Sequence, residues 1–172
     1  MVLVLLLLIS ALTDLLYRKV YNYVTAPAVL LGFSLGFITA GGKGLTNSLI
    51  GFVIGLIFFF PVFAYGGMGG GDVKLCAAIG AIKGFPFIID SMFWSIVFGG
   101  LMAIAVMLWK GTLWRGLKNV FRFLFTLFIP WLHVVPLKKE DSIKIPYGFS
   151  IAVGTLAALI IFKISGKYFL IR

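Results

Sequence analysis

The sequence is poor in the residues that build most soluble catalytic and metal centres. Cys76 is its single cysteine and His133 its single histidine. One thiol can form neither an intrachain disulfide nor a thiolate metal cluster, and one imidazole cannot supply the paired ligands of a histidine-based zinc protease. Charge is scarce as well: 12% of the 172 residues are Asp, Glu, Lys or Arg, where a soluble domain carries about a quarter. Only Asp14, Asp72, Asp90, Glu140 and Asp141 are acidic, against 15 Lys and Arg, for a formal net charge of +10. So basic a balance is a common mark of nucleic-acid binding. Here the cations lie between apolar runs rather than interleaved on a polar face, so anionic headgroups account for them and no nucleic-acid partner is implied.

Apolar surface is what the chain has in excess. Its residues are 62% hydrophobic and its mean hydropathy is +1.14, more than one small core can hide. Such surface faces lipid, where every backbone polar group must be paired within a helix or a closed barrel. The apolar runs are continuous and lack the period-two alternation of a barrel strand, so the predicted fold is all-α, a polytopic membrane protein with about six transmembrane helices. The predicted spans are Val2 to about Tyr17, Tyr23 to Ala40, Leu45 to Tyr65, Asp72 to about Lys83, Asp90 to Trp109 and Ile145 to Lys163. Pro27 near the start of the second is tolerated there. The fourth is short for a bilayer crossing of roughly 20 residues, and Phe85 to Ile89 could extend it across the Gly84-Phe85-Pro86 link. The first lacks a basic lead-in and a small-residue cleavage site, so it reads as a retained span rather than a signal peptide.

Residues 111–145 carry two readings. Trp114, Leu117, Phe121, Leu124 and Phe125 recur at helical spacing with Arg115, Lys118 and Arg122 mainly on other faces, the pattern of a basic amphipathic helix lying in the interface. A seventh span over Val120 to Val135 is the alternative, opposed by Arg122, Pro130 and His133. With six spans and an outer N-terminus, Arg18, Lys19, Lys74, Lys110, Arg115, Lys118, Arg122, Lys138, Lys139 and Lys144 fall inside. Lys43, Lys83, Lys163, Lys167 and Arg172 fall outside. Ten against five obeys the positive-inside rule.

Two of the five acids stand out. Glu140 and Asp141 belong to a polar Lys-Lys-Glu-Asp-Ser stretch, and Asp90 sits at a span boundary as an interfacial residue. Asp14 and Asp72 lie within spans, where an ionisable group costs about 2.5–3.5 kcal/mol on insertion scales and is a functional hypothesis by default. A first helix running inward ends on the side where a fourth begins, so both carboxylates belong at the same, cytoplasmic face. A close carboxylate pair holds one proton between its members. The ionised member can deprotonate a water that attacks a peptide carbonyl while the protonated one hydrogen-bonds the carbonyl oxygen. Ahead of Asp72, five of the six residues Gly66 to Gly71 are glycine, a strip without side chains that could accept an extended peptide. Lys74, two residues on, points away from Asp72 on a helix and is expected to snorkel to the headgroups.

These residues resemble a known family. Gly69-Gly70-Gly71-Asp72 resembles the Gly-x-Gly-Asp signature of intramembrane aspartic proteases, and Gly71-Asp72-Val73-Lys74-Leu75 followed by Ala77-Ala78-Ile79-Gly80-Ala81 is similar to type 4 prepilin peptidases. Asp14-Leu15-Leu16-Tyr17-Arg18-Lys19-Val20-Tyr21-Asn22 is similar to that family's first motif, with Tyr21 in place of a proline. Ile145-Pro146-Tyr147-Gly148 resembles its late Pro-Tyr-Gly motif. The resemblance covers nearly the whole chain. It implies a single peptidase domain over residues 1–172 in the plasma membrane, with prepilin-like precursors and the lipid bilayer as partners and no cofactor or metal. Their positively charged leader would be cut at the cytoplasmic face. Asp14 and Asp72 would be the catalytic pair, with Gly69, Gly70, Gly71, Lys74, Pro146, Tyr147 and Gly148 as substrate-binding or supporting residues. It also implies the short form, without the cysteine-rich domain that accompanies methyl transfer. The rival class is a small transporter or ion-coupled channel component, since intramembrane carboxylates and glycine-broken helices also build ion sites. A non-catalytic scaffold is a third reading. Peptide cleavage as against ion flux separates the first two.

Overall fold

The computed structural model describes residues 1–64, 66–112, 114, 118 and 147–166. Among them the regular elements are all helical: α1 (Val2–Tyr17), α2 (Asn22–Ala64), α3 (Gly70–Lys83), α4 (Phe85–Trp109) and α5 (Tyr147–Ser165). The amphipathic helix or seventh span expected in 111–145 falls almost wholly outside the described residues, as do His133, Glu140, Asp141 and Pro146.

α1 buries Leu3, Leu6, Leu7, Ser10 and Asp14, a stripe at three- and four-residue spacing that puts Asp14 on the inward face. The helix stops at Arg18, whose backbone is left-handed (φ 53°) and whose N–H returns to the Asp14 carbonyl at 2.8 Å. α2 holds two of the predicted spans. Ala40 (φ −140°) and Gly41 (φ 58°) break its helical geometry, and the two halves fold back as an antiparallel hairpin. Phe33 meets Phe52 edge-on at 5.5 Å, and Gly36 lies against Gly44 and Ser48.

α3 lies against this hairpin and is buried nearly all round, from Val73 through Leu75, Cys76, Ala77, Ala78 and Ile79 to Ala81. A helix that is apolar on every side belongs in an interior. Small residues let it in. A Cβ on Gly32 would stand 2.7 Å from the Ala81 carbonyl carbon, one on Gly55 2.5 Å from the Cys76 carbonyl oxygen, and Gly51 and Gly80 meet backbone to backbone. Close approach of this kind is how helices associate in lipid, where the hydrophobic effect gives no drive between them.

Gly84 (φ +81°) ends α3, and Pro86 stands in the first turn of α4, where a proline is tolerated. The Asn47 side chain fits against Gly84 and accepts a hydrogen bond from the Phe85 N–H at 3.1 Å. Phe85 to Ile89 therefore open α4 rather than extend α3, a correction to the predicted division. Asp90, expected at an interface, is instead inside α4 and 3% exposed. α4 and α5 pack antiparallel. The Ser91 and Thr155 hydroxyls are 2.7 Å apart, the Ser95 hydroxyl donates to the Ser91 carbonyl at 2.6 Å, and Gly154 abuts the Ser95 backbone.

By length and composition α2, α4 and α5 can cross a membrane; α1 and α3, with 16 and 14 residues, are shorter. The outer surface is apolar, with Leu16, Ile38 and Ile164 more than 70% exposed, which suits lipid rather than water. Gly51→Val should drive α2 from α3 and destabilise the bundle by about 2 kcal/mol or more, the range of an overpacked core. Gly100→Ala, whose added carbon meets nothing within 4 Å, should unfold with the parent. Thermal unfolding in detergent measures both.

Candidate active site

Asp14 stands in the last turn of α1 and Asp72 in the first turn of α3. Both are buried, at 4% and 8% exposure. What exposure they keep faces one cavity of about 300 Å³, lined also by Arg18, Lys19, Val20, Tyr21 and Asn22 from the α1–α2 link and by Gly69, Gly70 and Gly71. The two carboxylates are close enough for the charge of one to act on the other. Asp90 does not line this cavity.

Each carboxylate takes a backbone N–H from a helix start. Asp72 is the third residue of α3, and its Oδ2 accepts from the N-cap Gly69 N–H at 3.3 Å, half of a capping box. Asp14 sits at the wrong end of its own helix for this, since the last turn of α1 presents carbonyls. Its Oδ2 accepts instead from the Phe149 N–H at 3.1 Å, in the first turn of α5. Helix N-termini favour negative charge, so both contacts suit ionised carboxyl groups.

The glycine run does something other than form an open strip. A Cβ on Gly71 would stand 2.5 Å from the Val20 carbonyl oxygen, and one on Gly70 3.1 Å from the Phe63 ring. These two glycines dock the start of α3 on the α1–α2 link and on the end of α2, while their backbone still lines the cavity. Gly66 (φ +77°) turns the chain with nothing beside it. Lys74 is exposed, and its Nζ has a partner in the protein: it donates to the Asn22 Oδ1 at 3.0 Å, tying the first turn of α2 to that of α3. Tyr147 is half-buried against the core and within electrostatic reach of Asp72, and Gly148 lies directly against Asp14 and Val20. Pro146 lies outside the described residues.

Sequence reasoning missed three participants. Asn22 closes the first motif, and its place there is the one signal that could have singled it out. Val20 and Phe149 contribute main-chain atoms, which no side-chain identity announces. Among the described residues no group of three or more His, Cys, Asp and Glu side chains could hold a metal ion.

Residues 1–104, which include both aspartates, match the model of the type IV leader peptidase family. The chain is also 32% identical over 110 residues to the prepilin leader peptidase/N-methyltransferase of Bacillus subtilis (strain 168). That alignment takes in 60% of this chain and 42% of the relative, so the chain spans less than half of the curated protein it matches. No solved structure matches it. With its family model covering more than half of the residues and both motif aspartates, the chain belongs to the type IV leader peptidase family.

Proposed function

We propose that this chain is an aspartic endopeptidase that cuts the leader peptide from prepilin-like precursors at the cytoplasmic face of the plasma membrane, with Asp14 and Asp72 as its catalytic pair. The observation that carries the reading is the meeting of two buried carboxylates, from helices far apart in sequence, around one cavity. Residues 1–172 act as one peptidase domain. α1, the two halves of α2, α3, α4 and α5 are its six membrane segments. The α2 hairpin returns the chain to the side it left, so the end of α1 and the start of α3 share a face, and the positive-inside distribution makes that face cytoplasmic.

The chemistry follows from like charges in a confined site. The pair binds one proton in common, and its titration belongs to the pair. The ionised carboxylate removes a proton from a water in the cavity as the oxygen attacks the scissile carbonyl. The protonated carboxyl hydrogen-bonds the carbonyl oxygen as it gains charge. Transfer of a proton to the leaving nitrogen then breaks the C–N bond and returns the pair to its starting state. Arg18 and Lys19 place positive charge at the cavity rim. Gly69, Gly70 and Gly71 offer main chain to the substrate there, and Lys74 with Asn22 holds the two helix starts that frame the opening.

Purified full chain in detergent should trim a peptide with a short basic leader ahead of an apolar helix. Asp14→Asn and Asp72→Asn should each lower the rate at least about 10³-fold, the scale on which catalytic groups act. Trimming retained in either variant would sink the dyad. Lys74→Met should destabilise the bundle by about 0.5–1 kcal/mol, the worth of an exposed hydrogen bond to a charge. Asn22→Asp, which turns the contact into an ion pair, should keep the parent stability. A double-mutant cycle on thermal unfolding that shows no coupling between positions 22 and 74 would remove Lys74 from the frame.

A further inference from the structure

We propose that the first turn of α5 is the positioning element for Asp14: the Phe149 N–H holds the carboxylate, and Gly148 is the residue that lets the turn come close enough to do so. The inference deepens the peptidase reading and rests on it. It gives the Tyr147-Gly148 turn a defined task, distinct from a helix start and from a substrate contact.

The geometry leaves little room for another residue at position 148. A Cβ there would stand 3.0 Å from Asp14 Oδ2, 3.1 Å from Asp14 Cβ and 2.9 Å from Val20 Cγ2. Those distances are shorter than ordinary carbon contacts, so a methyl group would displace the carboxylate or the turn. The Asp14 carboxylate gets no backbone donor from α1, because it sits in the last turn, where the N–H groups are paired within the helix and the free groups are carbonyls. Its donors come from another helix: the Phe149 N–H at 3.1 Å, with the Gly148 N–H beside it. Asp72 takes a longer bond, at 3.3 Å, from the cap of its own helix. Both bonds favour negative charge, so weakening the one to Asp14 makes the pair harder to ionise.

Other charged and titratable groups face the same site: Arg18 at the end of α1, Lys19 and Tyr21 on the link, Asp72 and, behind it, Cys76 on α3, and Tyr147 on α5. Of these only Tyr147 shares the turn, so variants that weaken the N–H donation leave Arg18, Lys19 and Asp72 on their own elements. Two do so by different routes. Gly148→Ala pushes the turn away. Phe149→Pro deletes the 3.1 Å donor while adding nothing at 148, at a first-turn position where proline fits a helix. Gly154→Ala serves as a structural control, since it crowds the Ser95 backbone further along α5, away from both aspartates.

The experiment measures kcat and KM for a prepilin-like peptide between pH 5 and 9 on detergent-purified full chain, with folding followed by size exclusion and thermal unfolding. For Gly148→Ala and Phe149→Pro the expected result is a kcat about tenfold lower or more, KM within about twofold, and an acid limb of the pH–rate profile moved toward neutral pH. Gly154→Ala should lower the unfolding temperature and leave the acid limb where it was. A folded Gly148→Ala or Phe149→Pro protein with the parent kcat and acid limb overturns the inference, as does a Gly154→Ala protein that shifts the limb equally. Asp14→Asn and Asp72→Asn run alongside: cleavage surviving in them overturns the peptidase reading itself, whereas cleavage lost in them but unchanged in the turn variants overturns only the role of α5.

Discussion

Two carboxyl groups inside an apolar bundle need hydrogen-bond donors that lipid cannot give, and that need shapes the rest of the molecule. Burying a polar group without a partner costs several kcal/mol, and a charge costs more. The donors here are main-chain N–H groups at helix starts, the one place where a helix leaves them unpaired. Asp72 takes one from its own cap, Gly69. Asp14, at a helix end, reaches across to Phe149 in the last described helix. Satisfying one acid thus ties the first helix to the last, so the site and the closure of the bundle are one arrangement.

Helix length serves the same end. α3 has 14 residues, about 21 Å at 1.5 Å per residue, short of the roughly 30 Å hydrocarbon thickness. A short, largely enclosed helix can place its first turn below the bilayer surface, where the carboxylate it carries shares a cavity with one from α1. Enclosure comes from small residues: Gly32, Gly51 and Gly55 of α2 against Cys76, Gly80 and Ala81 of α3 bring backbones together. The glycines ahead of Asp72 extend the same device to the α1–α2 link, through Gly71 and the Val20 carbonyl. The last two glycines of a run that looks like slack in the sequence form a tight seam in the fold.

The arrangement also fits proteolysis at a membrane. A hydrolase in lipid needs water where the substrate is and nowhere else. The cavity opens among polar and basic residues of a helix link, while the flanks of the bundle stay apolar. The carboxylates thus face the cavity on one side and packed protein on the other.

By itself the sequence determined the helical class and most of the helix bounds, and it singled out Asp14 and Asp72, which the fold places around one cavity. Hydropathy and backbone pairing in lipid leave few alternatives, and an ionisable group in an apolar run is costly enough to mark its position as a candidate. It misjudged Asp90 and the start of α4, because a span boundary read from hydropathy does not register that Gly84 turns the chain or that neighbouring helices bury an acid. Only the tertiary structure decided what the glycines press against, that Lys74 answers to Asn22, and that Gly148 admits a backbone donor to Asp14. The physical reason is common to all three. Each contact joins residues far apart in the chain, often through main-chain atoms every residue possesses, so its specificity lies in where the helices cross and not in the identities along them.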